Sequence, residues 1–324
     1  MSQITDDAGF TDAVSRHERE LTVHCYRMTG SHDDARELVQ ETFLRAWSAR
    51  SSYEGRASVR TWLYRIATNL CLDTLAHSSR RVLPYELGPP APAGEMEVRA
   101  DLPWLQPFPT TDDEPAEAAV ARETIELAFI VALQHLPPRQ RCALVLRDVL
   151  GWPTAEVAAT LDASVPSTNS ALQRAREAMR TRLPADRSSW SPAAPNPDEL
   201  ALARRYAAAV ERADIEAVVA LLADDVRATM PPWPYWMADR SSVEQALRES
   251  WEPSSPSYVG RFRHVPLVVN GSPGAASYTR VGDTGPYLPF ALGVLRIEGD
   301  RIVELTAFHD TSLFAAFGLP AEHR

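Results

Sequence analysis

Lysine is absent from the 324-residue chain, so all 33 of its basic residues are arginine. That absence reads as the coding bias of a GC-rich genome, although guanidinium groups also suit bidentate contacts with phosphate and guanine. Cysteine is scarce: Cys25, Cys71 and Cys142 lie far apart, with no CxxC spacing and no histidine pair nearby. This excludes a zinc site or a disulfide framework and leaves buried thiols as the expectation. No apolar run approaches the roughly 18–20 residues of a membrane span, and no membrane partner is expected. The N-terminus, MSQITDDAGFTDAVSRHERE, lacks the basic start and apolar stretch of a secretory signal, so a cytoplasmic location is expected. No metal or cofactor is implied. A basic excess is missing too: the net charge is −10, which by itself argues against nucleic acid, because phosphate binding leaves a basic footprint.

The distribution of charge reverses that last exclusion. Residues 1–81 hold 11 Arg and 11 Asp/Glu, and residues 137–187 hold 8 Arg and 5 Asp/Glu. Residues 82–128 hold 2 and 10, and residues 188–324 hold 12 and 17. Acidity is concentrated in one connecting segment and the C-terminal third. The length is enough for two or three domains, each with its own core.

From about Asp12 to Leu75 the pattern is helical. Ala35, Leu38, Val39, Thr42, Phe43, Ala46 and Trp47 recur at helical spacing and form one apolar stripe, with Glu37, Gln40, Glu41 and Arg45 facing outwards. A second helix, about Val59 to Leu75, is expected to bury Trp62, Leu63, Ile66 and Leu70 and to expose Arg60, Arg65 and Asn69. Between Val82 and Glu114 the chain is proline-rich and acidic, which favours extended linker. Helical pattern returns at Ala116 to Gln134. In TAEVAATLDASVPSTNSALQRAREAMR, Val157, Ala158 and Leu161 form one apolar face, Asp162-Ala163-Ser164 a turn, and Val165, Thr168, Leu172, Ala175 and Met179 a second face. Ser164 can cap the second helix, with Pro166 in its first turn. The outward residues Ser167, Asn169, Ser170, Gln173, Arg174 and Arg176 suit a recognition helix in the major groove. The same spacing would also fit an amphipathic helical hairpin with a solvated face.

Two stretches in this order resemble the extracytoplasmic-function class of sigma factors. HCYRMTGSHDDARELVQETFLRAW with RASVRTWLYRIATNLCLDTL looks like region two, and LPPRQRCALVLRDVLGWPTAEVAATLDASVPSTNSALQRAR looks like region four. The resemblance implies a multi-domain protein with two all-α sigma domains, a region-two helical bundle (10–81) and a region-four helix-turn-helix (116–186), joined by the acidic linker (82–115). It implies binding to the core of RNA polymerase, with Asp34, Glu37, Gln40 and Glu41 docking on the clamp helices of the largest subunit. It also implies promoter DNA as partner: Arg56, Ser58, Arg60, Thr61, Tyr64, Arg65 and Asn69 at the minus-ten element, Arg80 and Arg81 beside them, and the recognition-helix residues upstream. The basic cluster that often follows region two is reduced here to Arg80 and Arg81, and Asn169 and Ala171 stand where relatives commonly carry basic residues. A one-component helix-turn-helix regulator with a ligand-sensing domain is the alternative; it would have no use for the Glu37–Glu41 face or the Trp62–Asp73 helix.

After a second linker (187–196), residues 197–324 read as a long helix followed by strand-like runs, the last two meeting at a turn at Glu298-Gly299-Asp300-Arg301. This segment resembles the SnoaL-like group of the ketosteroid-isomerase-like superfamily, which implies an α+β cone enclosing a pocket. PWLQPFP in the linker is similar to a motif of sigma factors that carry such a domain. Met230, Trp233, Tyr235, Trp236, Phe290, Phe308 and His309 could line the pocket. His309 and Asp310, if both in a strand, would point to opposite faces and could not act together. No catalytic residue is therefore assigned, and the domain is expected to regulate the sigma domains by intramolecular contact.

Overall fold

The computed structural model describes residues 7–55, 57–91, 97–110, 125–183 and 195–323. Arg56 and most of the expected helix from Ala116 lie outside these residues. The chain divides into two units, neither continuous in sequence: residues 1–81 with 127–191, and residues 82–126 with 192–324. The regions expected as two separate helical domains thus share one unit. The segment expected as their linker belongs with the C-terminal domain.

In the first unit, serine side chains start three of the helices. Ser31 accepts from Asp34 N (3.1 Å) at the head of α3 (His32–Ala49), and Ser58 accepts from Thr61 N (3.1 Å) at the head of α4 (Val59–Leu75). Helices α1 (Asp7–Ser15) and α2 (Glu18–Thr29) precede them. The stripe of α3 is buried through Ala35, Leu38, Val39, Thr42 and Ala46, with Phe43 and Trp47 half-buried. The second part of the unit holds α5 (Leu127–Gln134), α6 (Pro138–Leu144), α7 (Thr154–Thr160) and α8 (Val165–Arg180).

Arg141 of α6 ties the two parts together. Its guanidinium donates to the carbonyl of Met28 at the end of α2, to Gln134 Oε1 (2.8 Å), and to the carbonyls of Gln134 (3.1 Å) and Leu136 (3.2 Å). Burial lowers its pKa to about 10. Beside it Gly30 closes α2 at φ +70°, and a Cβ there would come within 3.1 Å of the Gln134 side chain. Glycine therefore meets both the left-handed backbone and the close approach. The three cysteines are buried thiols in this unit, as expected. A hydrogen bond with Cys25 and burial keep Cys71 protonated, and burial does the same for Cys142.

The second unit is built on a six-stranded sheet of order β2-β1-β6-β5-β4-β3. Its strands are β1 (Leu222–Thr229), β2 (Trp236–Met237), β3 (Arg261–Val269), β4 (Ser272–Arg280), β5 (Leu288–Glu298) and β6 (Arg301–Phe308). β1 and β6 are parallel and the other pairs antiparallel. The expected β5–β6 hairpin closes with Glu298 opposite Arg301. Helices α9 (Pro197–Glu211), α10 (Ile215–Val219) and α11 (Arg240–Trp251) cover one face, and α12 (Leu313–Ala316) lies near the C-terminus. Leu202, Val226, Leu295, Ile297 and Ile302 form the core of the covered face. The single long helix expected after Pro197 is interrupted: Ala213 adopts φ +52°, Asp214 caps a new helix by accepting from Ala217 N (3.0 Å), and the chain from Leu222 enters β1. No helix among the described residues is long and apolar enough to cross a membrane.

The described parts of the connecting segment, residues 82–91, 97–110 and 125–126, hold a short 3-10 helix at Pro84–Glu86 and otherwise turns and irregular chain, yet they strap the sheet at both edges. At the β2 edge, Ala91 N donates to Trp236 O (3.0 Å), Arg99 N to Pro232 O (3.1 Å), and the Trp236 indole N–H to Gly88 O (2.9 Å). At the β3 edge, Pro109 bridges Val269, and Thr110 N donates to Val268 O (3.4 Å). Asn270 fixes this end: its backbone N–H donates to Phe108 O (3.0 Å), its Oδ1 accepts from Phe108 N (2.8 Å), and its Nδ2 donates to Ile125 O (2.6 Å). On the sheet face opposite the helices, Tyr85 lies 3.8 Å from the Arg227 guanidinium, which pairs with Glu304 (2.7 Å) beside Arg296 (3.2 Å). Leu83, Leu105 and Phe108 are fully buried.

Candidate polymerase and nucleic-acid interfaces

The outer face of α3 presents Glu37 and Gln40, both exposed, with Glu41 half-exposed and paired to Arg45 (2.8 Å). Leu44 stands on the same face, one turn from Gln40 and Glu41, and is 63% exposed. Sequence reasoning assigned only the polar members; the i, i+3, i+4, i+7 row from Glu37 would have included it. Asp34, placed in this face from sequence, pairs with Arg81 (2.6 Å). One acidic docking candidate is therefore bonded to one DNA candidate.

Helix α4 buries Leu63, Tyr64, Ala67, Thr68, Leu70 and Cys71, while Trp62 and Ile66 stay half-exposed. The expected inward face is therefore rotated, and the change removes a DNA candidate. Tyr64 is 1% exposed, its hydroxyl donates to Glu20 Oε2 (3.2 Å), and its ring packs 5.7 Å from Trp152. Burial raises its phenol pKa. Arg60 pairs with Glu20 (2.7 Å), so it is half-spent. Trp62 packs on Tyr53 at 4.9 Å. Ser58 is occupied as the cap of α4, and its hydroxyl also meets that of half-exposed Thr61 (2.9 Å). Arg65 and Asn69 remain exposed and are displayed on one face. Arg80 contacts His135 Nε2 at 3.2 Å.

The helix-turn-helix forms from α7 and α8. Asp162 takes φ +48° in the turn, and Ser164 accepts from Ser167 N (3.3 Å) to start α8. Thr168, Leu172, Ala175 and Met179 are buried. Val165, expected in that face, is 42% exposed because it is the first helical residue and projects past the packed turn. Ser167, Asn169, Ser170, Gln173, Arg174 and Arg176 all face outwards together. Arg174 has no ion pair among the described residues, whereas Arg176 makes a two-pronged contact with Asp148 (2.8 and 2.6 Å) that holds it firmly charged.

In the C-terminal unit the candidate pocket residues divide between the two faces. Met230 packs against the helix-covered core. Trp233 and Phe290 each meet His309 edge-on at 4.7 Å, and half-buried Tyr235 lies close by in sequence. Phe308, alternating with His309, belongs with Glu304 and Thr306 on the opposite face, and Trp236 is taken by the strap. Asp310 is exposed and caps a turn by accepting from Ser312 N (3.1 Å), so it forms no pair with His309.

A helical bundle and a helix-turn-helix in one unit, with a mixed sheet in the other, are the architecture expected of a sigma-type transcription factor with a fused domain. Models for sigma-70 region 2, sigma-70 region 4 and the SnoaL-like domain match residues 13–81, 126–179 and 203–305. The chain is 45% identical over 318 residues to the ECF RNA polymerase sigma factor SigG of Mycobacterium tuberculosis, covering 96% of this chain and 84% of that protein. It is 35% identical over 221 residues to SigJ of the same species, 67% of this chain and 62% of SigJ. The crystal structure of SigJ has the same fold, with a TM-score of 0.63 at 24% identity over 96% of this chain and 99% of that one. The protein belongs to the extracytoplasmic-function sigma factors, transcription initiation factors that are not enzymes.

Proposed function

We propose that α3 docks on the clamp helices of the polymerase largest subunit through Glu37, Gln40, Glu41 and Leu44, that Arg65 and Asn69 meet the minus-ten element, and that α8 reads the upstream promoter. An exposed leucine among acidic and amide groups supports the first assignment, because it offers apolar area to a basic partner. The guanidiniums of Arg65 and Arg174, which make no ion pair among the described residues, support the other two as phosphate or guanine contacts. The C-terminal domain regulates the sigma regions by holding the segment between them. The observation that carries this reading is the strap: the chain joining region two to region four is paired with both edges of the SnoaL-like sheet. Its path is therefore set by a domain that lies outside both DNA-reading regions. Run-off transcription with core polymerase tests it, comparing the full chain with one ending before Pro197. A changed dependence on core concentration is expected, and identical curves would remove the regulatory role.

A further inference from the structure

Arg176 differs from the other outward residues of α8 because a carboxylate holds it. Its Nε donates to Asp148 Oδ2 (2.8 Å) and its Nη2 to Oδ1 (2.6 Å), a bidentate, side-on grip. The Asp148 side chain is 21% exposed and that of Arg176 51%, so the carboxylate is the anchored member. Its backbone is set by a π-helical turn, Val145–Val149, that continues α6. Leu150 N donates to Val145 O (3.0 Å), Trp152 N to Leu146 O (3.0 Å), and the Arg147 guanidinium to Trp152 O (3.2 Å). Val145, Leu146 and Trp152 are buried, which fixes the turn in the core of the helical unit. Such turns are rare, re-aim the residues they carry and recur at functional sites. Here the residue aimed at α8 is Asp148.

A guanidinium carries five N–H donors. Asp148 takes the Nε–H and one Nη2–H, and the remaining three make no hydrogen bond among the described residues. They form the end-on edge of the fork, directed away from Asp148. That edge matches O6 and N7 of guanine in one plane. Charge points the same way: with a carboxylate at 2.6 Å the pair carries no net charge and attracts phosphate weakly, so affinity is not what this arginine supplies. A fixed plane supplies discrimination instead. Exposed Asn169, Gln173 and Arg176 follow one another at i, i+4 and i+7 and share a face of α8, whereas Arg174 keeps its full charge, with no ion pair among the described residues.

We propose that Asp148 is a positioning residue for specificity: it orients Arg176 to read one guanine of the upstream promoter. This role rests on the reading that α8 enters the upstream promoter. The test uses holoenzyme assembled from the full chain and core polymerase, on duplexes randomised across the upstream element, with the bound molecules sequenced. The native protein should enrich guanine at one position. Asp148→Ala should lower the preference at that position roughly tenfold, with the other positions as internal reference, and Asp148→Asn, which keeps one acceptor, should fall between. Arg176→Lys, a cation without the fork, should lose the same guanine, and the double variant with Asp148→Ala should lose no more than either alone. Because the Asp148 carboxylate opposes phosphate, Asp148→Ala should also bind a duplex of fixed non-promoter sequence more tightly at low salt, with a salt slope steeper by about one unit. A merely structural pair would weaken every upstream position and the non-promoter duplex together. That outcome, no enriched guanine, or no effect of Asp148→Ala where Gln173→Ala and Arg174→Ala alter upstream preferences overturns the role of Asp148 and leaves the reading of α8 standing. Upstream preferences unchanged in Gln173→Ala and Arg174→Ala as well overturn the reading of α8, and the role of Asp148 with it.

Discussion

Asn270→Gly should release the β3 end of the strap while leaving the sheet intact. Asn270 occupies φ +52°, a conformation that glycine adopts without strain, so the substitution removes the side chain and little else. Lost with it are the bonds from Phe108 N (2.8 Å) and to Ile125 O (2.6 Å), both deeply buried. Each main-chain group left without a partner costs about 1–3 kcal/mol. Water reaching the opened segment recovers part of this, so about 3 kcal/mol is the working figure, or roughly a hundredfold in the opening equilibrium. Amide exchange at Phe108 and Thr110 should accelerate by about that factor, while amides in β4 and β5 keep their protection. Run-off transcription should shift along the core-concentration axis in the same variant. Unchanged protection at Phe108 would refute the energetic argument, and unchanged transcription with fast exchange would refute the strap's regulatory role.

Replacing Glu37 and Gln40 together with arginine should abolish co-purification with core polymerase while circular dichroism stays native, and Leu44→Ala should weaken binding about tenfold, for 1–2 kcal/mol of lost apolar burial. Arg174→Ala should cost about 1–3 kcal/mol in promoter affinity, Gln173→Ala should mainly relax upstream specificity, and Arg176→Ala should cost less because Asp148 already competes for that guanidinium; binding measured on matched and mutated promoters checks all three. Arg141→Met leaves four oxygens of α2, α5 and the following loop without their donor and should lower the stability of the helical unit by about 3–5 kcal/mol in urea titration. His264 and His309 titrate near 4 in the folded protein because burial disfavours their charge, against 6.5 unfolded. The unfolded chain binds more protons between those values, so their contribution is full above pH 6.5 and declines as pH falls towards 4, by up to about 2 kcal/mol each at pH 5. Denaturation at pH 7 and 5 measures it, with His309→Phe removing one share.

Much of the helical half was legible because its signals are local. The α3 stripe and the Ser164 cap with its following polar face follow from spacing alone. Tyr64 was not legible, because what buries it is non-local: Glu20 and Trp152 lie far away in sequence. The break at Ala213 escaped notice because an arginine-alanine-aspartate run lacks glycine or proline; the usable signal was Asp214 as a cap. Helix α11 had a readable start in Asp239, which accepts from Ser242 N (2.8 Å), followed by Val243, Ala246 and Leu247. Among the pocket candidates, a list of aromatic residues could not assign faces. The turn after Phe308 sends His309 inwards and Asp310 outwards, and the strap claims Trp236.

The strap shows why composition misleads about such segments. Proline and acidic residues remove the local reasons to form helix, yet they do not prevent an extended chain from pairing with an exposed sheet edge. An open six-stranded sheet has two such edges, and here β2 and β3 both find partners in the segment that joins region two to region four. Covering the edges stabilises the SnoaL-like domain, and it also fixes the connecting chain. The two effects are one free energy viewed from either side: whatever lifts the strap costs the domain its edge pairing, and whatever distorts the edges frees the strap. The regulation proposed for this domain would act in proportion to the few hydrogen bonds at Pro232, Trp236, Val268 and Asn270.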